Sequence, residues 1–330
     1  MGVFFIAPQL AYTIDWRVLL GVAAIPSLIG LVFRFYMPES PRWLILHEKY
    51  DKAIASLKRF NVTAKLSEIK NTHDYLVAKE TKQKATPGIK RAFVIVGLFM
   101  MFQQITGINI PFYYGPVVIA KLHIFGSTGG TAISSAVFGI EASSILAIIN
   151  VLATLIGFRL IDSYGRRSLA LLGYSGMAFF DVLGAVLYLS HIDIGLLIGF
   201  AGFIIFFAFG VGGTGWIIQG EYFPTQYRGL FASLIAVVDW ISNFAIIELF
   251  PVMDLKIGLG YTMAVFAVLS IMAVVIFFYI MPKTKGKSVE EINDIFENNT
   301  LATVRNASMS GYSDNSKTDK NLDKIIAARK

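Results

Sequence analysis

The sequence of 330 residues contains no cysteine, and only 15% of its residues carry charge. The missing cysteine excludes a disulfide scaffold. The shortage of charge excludes more. A soluble domain carries about 25% charged residues and about 45–50% apolar ones. Here 55% are hydrophobic and 14% aromatic, so too few polar groups exist to cover a globule of this size. Mean hydropathy is +0.63, and the excess apolar residues must face lipid. A soluble enzyme and a disordered chain are thereby excluded. Histidine is scarce as well: His47, His73, His123 and His191 are scattered outside the apolar runs. No metal-ligand cluster, nucleophile–base pair or cofactor motif occurs, so no enzyme, metal or cofactor is expected. The apolar start, Met1 to Ile14, lacks the basic n-region of a signal peptide.

What the sequence does have is long apolar runs. A spanning helix needs about 20 mostly apolar residues, because each residue rises about 1.5 Å through a core about 30 Å thick. A first, shorter run covers 16–36 and is free of charge from Val18 to Phe33. Six others cover 92–120, 131–160, 168–190, 194–219, 229–252 and 258–281. The expectation is an all-α integral membrane protein with about seven spanning helices.

Lysine and arginine give the orientation. Twelve lie in the 37–91 loop and nine in the 282–330 tail, with Arg159, Arg166, Arg167 and Arg228 in two further connections. The alternate connections hold only Lys121 and Lys256. The long loop and the tail are therefore expected in the cytoplasm of a multi-pass protein of the cell membrane. The net charge of +7 is topology, and a nucleic-acid partner is excluded. Five segments follow: 1–15, a residual extracytoplasmic loop or the end of a preceding helix; 16–36, a span; 37–91, an amphipathic helical loop; 92–281, a six-helix bundle; 282–330, a tail expected to be disordered after 298. In the loop, Tyr50, Ala53, Ile54 and Leu57 fall at helical spacing, and Leu66, Ile69 and Leu76 do so more loosely.

Polar residues at bilayer depth are costly and tend to face a cavity or a partner helix. The 92–120 run holds Gln103, Gln104, Thr106, Asn109, Tyr113 and Tyr114, together with Gly107, Pro111, Gly115 and Pro116. Glycine and proline weaken the helix ladder, which is tolerated where a helix lines a cavity. Uncharged amides and phenols donate and accept hydrogen bonds, which suits a ligand covered in hydroxyls. Helix–helix hydrogen bonding is the alternative. Four acids lie within runs: Glu141, Asp181, Asp239 and Glu248. With no basic residue at comparable depth, such an acid can carry a proton, donate to substrate, or bond a neighbouring helix. Asp239 and Glu141 are the candidates for coupling. Gly210, Gly212, Gly213 and Gly215 precede Trp216; without a strand or a lysine they form no phosphate loop. They permit bending and close helix approach.

Five patches in order resemble the sugar porter family of the major facilitator superfamily. They are Pro38-Glu39-Ser40-Pro41-Arg42-Trp43-Leu44; Gln103-Gln104-Ile105-Thr106-Gly107-Ile108-Asn109 with Tyr113-Tyr114; Asp162-Ser163-Tyr164-Gly165-Arg166-Arg167; Glu221-Tyr222-Phe223-Pro224 with Arg228-Gly229; and Pro282 through Ser288. The resemblance spans about 16–295. It implies a bundle of the major-facilitator type in which Gln103, Gln104, Asn109, Asn150, Trp216, Trp240 and Asn243 meet the substrate. It also implies that Tyr113 and Tyr114 form an extracellular gate. Glu39, Asp162 and Glu221 would pair with Arg42, Arg166, Arg167 and Arg228 as a charge latch on the cytoplasmic side. The implied activity is alternating-access movement of a sugar or polyol, with proton symport as one option. The sequence departs from the pattern at Gly213 and Gly215, where the family has prolines, at Asp239, where glucose facilitators have Asn, and at Lys283, where Glu is usual. The run Gly220 to Arg228 is closer to proton-coupled phosphate porters. The family's first five helices have no counterpart, so a missing N-terminal half is an implied partner, beside the bilayer, the sugar and protons. The alternatives are a proton-coupled phosphate or organic-acid porter, and a non-transporting membrane sensor or truncated product.

Overall fold

The computed structural model describes residues 21, 24–60, 66–70, 73–74, 86–120, 122 and 132–298. All regular structure among them is helical. The chain divides into two compact units, whose described parts are 21–86 and 87–298.

The first unit contains α1 (Ala24–Tyr36), α2 (Pro41–Leu46) and α3 (Tyr50–Arg59). Helix α1 is apolar and buries none of its residues within the protein. Pro41 opens α2 in its first turn, where its missing N–H leaves no intrahelical bond unmade. Ala53 and Leu57, one helical turn apart on α3, share a small core with Leu44, Ile45 and Ile69. The Ser56 hydroxyl donates to the Glu39 carbonyl over 2.6 Å and ties α3 to the segment before α2. Leu76 lies outside the described residues.

The second unit is the bundle. It contains α4 (Pro87–Ile105), α5 (Ile110–Tyr113), α6 (Gly115–Ala120), α7 (Ala132–Tyr164), α8 (Arg166–Leu189) and α9 (Ile194–Phe206). A π-helical turn, Phe207–Gly212, joins α9 to α10 (Gly213–Tyr222). Helices α11 (Thr225–Ile257), α12 (Leu259–Ile280) and α13 (Val289–Asn298) follow. Among the described residues, six stretches are long and apolar enough to cross a membrane: 87–113, 138–164, 166–189, 194–222, 227–257 and 259–280. Helices α7 and α11 run past the ends of the apolar runs because a charged residue stops hydropathy, not the backbone ladder. Arg159 and Asp162, for example, sit on an exposed face of α7.

Close crossings hold the bundle. A Cβ at Gly210 would lie 2.5 Å from the Cα of Gly173, and one at Gly184 would lie 3.1 Å from the Cα of Gly199. Small residues at these crossings let backbones approach where lipid supplies no hydrophobic drive. Helices α4, α8 and α12 meet at an aromatic cluster. The Tyr174 ring stacks on Phe277 at 5.5 Å, and Phe99 lies 5.1 Å from Phe277. The Tyr174 hydroxyl donates to the Phe99 carbonyl over 3.3 Å.

The bundle ends on α13, whose start is a reciprocal capping box. The Ser288 N–H donates to Glu291 Oε2 over 2.7 Å, and the Glu291 N–H donates to Ser288 Oγ over 3.2 Å. Ile292, Ile295 and Phe296 then bury one face. The Arg91 guanidinium donates to the carbonyls of Phe296 (2.7 Å) and Glu297 (3.2 Å), fastening α13 to the start of α4.

Candidate functional site

The first spanning stretch breaks where the glycines and prolines lie. Gly107 adopts φ +92°, which L side chains avoid, and a Cβ there would press on the Phe266 ring at 2.9 Å. The Gly107 N–H donates to the Gln104 carbonyl and the Ile110 N–H to the Gly107 carbonyl, each over 2.9 Å. Residues 106–109 thus form a turn, and Pro111 restarts the helix as α5. The Thr106 hydroxyl donates back to Phe102 O over 2.9 Å.

This break carries Asn109 toward α11 and creates a chain of side-chain bonds. Asn109 Nδ2 donates to Asn243 Oδ1 over 3.0 Å and to Gln104 Oε1 over 2.8 Å. Gln104 Nε2 donates to Asp239 Oδ1 over 2.8 Å. Both Asn109 hydrogens are thereby used, and the Asp239 carboxyl is the terminal acceptor. Asp239 is 2% exposed and Gln104 7%. Bonds in such surroundings are stronger than in water, and a broken one is costlier. The Asn109 oxygen and the second Gln104 hydrogen lie outside this chain. Gln103 is buried beside it.

Of the remaining candidates, Trp216 and Trp240 are exposed on α10 and α11. Asn150 is half-buried on α7, where its carbonyl accepts from the Thr154 hydroxyl. Glu141 is exposed on α7. None of these four joins the amide chain by a described hydrogen bond. Tyr114 donates to Ile247 O over 3.1 Å and packs on Phe250 at 4.9 Å, so it is held by α11. Tyr113 beside it is exposed.

The charge latch divides. Arg166 Nε lies 3.1 Å from both Glu221 oxygens, and its Nη2 lies 2.7 Å from Oε1. Asp162 Oδ1 lies 3.1 Å from Arg166 Nη1. One arginine therefore joins the end of α7, the start of α8 and the end of α10, with a forked geometry that suits a carboxylate. Arg167 donates instead to Phe278 O over 2.7 Å, with its guanidinium 5.2 Å from the Phe278 ring. Arg228 donates to Phe223 O over 3.3 Å. Glu39 and Arg42 belong to the other compact unit, and the Arg42 side chain lies outside the described residues. The α13 anchor at Arg91 and the capping box at Ser288 were missed in the sequence. The spacing Ser288-x-x-Glu291 before Ile292, Ile295 and Phe296 is the signal that would have found the capping box; no local pattern marks Arg91, 205 positions from Phe296.

Comparison with known proteins gives a consistent result. The pattern of the family described as "Sugar (and other) transporter" matches residues 2–296. The arabinose-proton symporter of Bacillus subtilis is 32% identical over 287 residues, covering 85% of this chain and 60% of that protein. The D-xylose-proton symporter of Escherichia coli K12 is 27% identical over 308 residues, covering 90% of this chain and 60% of that one. The chain thus spans about 60% of the length of these curated relatives. A crystal structure of a double-tryptophan XylE mutant superposes with TM-score 0.73 at 26% identity, covering 89% of this chain and 64% of that one. XylE bound to 6-bromo-6-deoxy-D-glucose shares the fold at TM-score 0.74 and 23% identity, over 89% of this chain and 64% of that one. With six apolar helices and a family match across 2–296, the chain is an integral multi-pass membrane protein of the major-facilitator fold and belongs to the sugar (and other) transporter family.

Proposed function

We propose that this chain supplies the C-terminal portion of a transporter that moves a sugar or polyol across the cell membrane by alternating access, in symport with protons. The observation that carries this reading is the hydrogen-bonded set Asn243–Asn109–Gln104–Asp239 at a helix break. Uncharged amides in a dry setting recognise hydroxyl groups by paired donors and acceptors. Gln103, Asn150, Trp216 and Trp240 complete the wall, the indoles offering apolar faces to a sugar ring. Tyr113 and Tyr114 close the outer end. Arg166 with Asp162 and Glu221 holds the inner end, which opens when these pairs break. Arg167 and Arg228, bonded to the Phe278 and Phe223 carbonyls, lie toward this same end of the bundle. Phosphate or organic acids are the less favoured cargo. Away from their ends the apolar runs carry no lysine or arginine to hold an anion, and some of the matched relatives are named for arabinose, xylose and galactose.

Asp239 is the coupling acid in this reading, ahead of Glu141, because it alone bonds a substrate amide. An acid that receives a proton changes from acceptor to donor and so alters what Gln104 presents. Uptake of labelled pentoses and hexoses by cells making the native polypeptide is the test. Competition by sugars and not by phosphate or carboxylates is expected; the reverse pattern overturns the reading. Asp239→Asn is expected to abolish gradient-driven accumulation while leaving exchange intact. Equal loss of both assigns Asp239 to binding or folding instead. The 37–91 loop and the 282–330 tail lie in the cytoplasm. Single cysteines introduced into this cysteine-free stretch, with an impermeant thiol reagent, report each side. Labelling of the loop from outside the cell contradicts this orientation.

A further inference from the structure

Helix α10 crosses α4 at Gly215. A Cβ at this position would lie 2.5 Å from Gln103 Oε1, 2.6 Å from Met100 Sδ and 3.2 Å from Phe99 Cε1. Gly213, two residues earlier on the same helix, is unlike it: a Cβ there would meet only Phe158 Cε1, at an ordinary 3.7 Å. Both glycines stand where a resembling sequence carries proline, yet only one is pressed against a polar side chain. That side chain is 4% exposed, and its carboxamide oxygen has no hydrogen-bond partner among the described residues. An acceptor in that state is strained by desolvation, and a donated hydroxyl relieves it. Gln103 precedes Gln104, which holds Asp239, and Gly215 precedes Trp216. One backbone position thus sets the spacing between the amide wall and the indole-bearing helix.

We propose that Gly215 is a positioning residue for sugar recognition: its missing side chain forms the niche that seats the Gln103 carboxamide against α10. This rests on the reading that the wall around Gln103 and Gln104 takes the sugar. Gly213 has no such role. A methyl group at 215 displaces the carboxamide and so changes how substrate is bound, while the turnover step, which depends on the Arg166 end, is left alone.

The test is sugar uptake kinetics of the native transporter in membranes, with surface amount measured alongside. Gly215→Ala is expected to raise KM about fivefold or more with kcat within about twofold, a pattern that marks lost binding and not lost protein. Gly213→Ala is expected to match the native protein. In a Gln103→Ala background, Gly215→Ala is expected to add nothing, because the group it displaces is gone. Native KM in Gly215→Ala overturns the proposal, and so does an undiminished effect in the Gln103→Ala background. Where Gly215→Ala reaches the membrane poorly, the comparison is read in a Met100→Ala background, which frees the other crowded contact; poor yield there too overturns it. Gln103→Ala with unchanged sugar KM sinks the underlying reading of the amide wall, and is thereby distinguished from failure of the Gly215 step alone.

Discussion

The amide chain around Gln104 and the ion pair around Arg166 are both polar assemblies in an apolar bundle, yet they are made by opposite means. The first is neutral except at its end and links two helices by bonds of fixed direction, Asn109 to Gln104 to Asp239. It sits where a helix is broken, so its geometry depends on the turn at Gly107. The second is charged, multidentate and placed where helices end, with Arg166 15% and Glu221 24% exposed. A directional chain discriminates, because each donor must find its acceptor. A charged fork tolerates small displacement and releases when water reaches it. In the proposed function, recognition and closure thus fall to different chemistry within one bundle, and mutations should separate them.

The sharpest break is Gln104→Ala. It leaves the Asp239 acceptor and one Asn109 hydrogen without partners, at about 1–3 kcal/mol for each buried group. Sugar kcat/KM is expected to fall about 100-fold, while resistance of the Arg166 end to proteolysis stays native. Next is Glu221→Gln, which removes the charge but keeps the shape. Partial exposure discounts this pair, and about 1–2 kcal/mol is expected. The loss is read as a lower melting temperature with sugar KM unchanged, and the swap Arg166→Glu with Glu221→Arg is expected to recover part of it. A KM shift equal to that of Gln104→Ala would erase the distinction between the two regions. Asn243→Ala removes one neutral acceptor, so KM should rise about fivefold, near 1 kcal/mol. The smallest effect belongs to Asp162→Asn. Asp162 is 79% exposed and faces Arg166 across the break at Gly165. Exposed ion pairs contribute about 0–1 kcal/mol, and at this exposure uptake is expected to change less than twofold.

The two regions also differ in how far the sequence revealed them. Apolar length alone located the six spans of the bundle, because a bilayer imposes it; of the run expected over 16–36, the described residues show only the shorter helix Ala24–Tyr36. Gly107 and Pro111 marked the helix break, since few other residues serve there. The partners of Gln104 were not legible: Asp239 lies 135 positions away, and no local pattern encodes which face of α11 meets α4. Trp216 and Trp240 stood out by type but make no described bond to the amides. At the other end, Asp162 and Arg166 were readable as charges of opposite sign in one short connection. That Glu221 joins them while Arg167 turns to Phe278 O depends on how α8 is rotated against α12. The π-helical turn at Phe207–Gly212 was signalled only as a run of glycines that permits bending. Its type follows from packing against α8, which the sequence does not state.

The docking of α13 on α4 has a consequence in time. Arg91 and its acceptor Phe296 are 205 positions apart, and Gly88 and its acceptor Glu297 are 209 apart. A ribosome adding about 5–20 residues per second needs roughly 10–40 s to cross that interval. Throughout it, the start of α4 has been delivered to the membrane while the carbonyls that Arg91 grips do not yet exist. The bundle is sealed by one of its last-made helices, so the insertion machinery must tolerate an open, incompletely paired intermediate for many seconds on every round of synthesis.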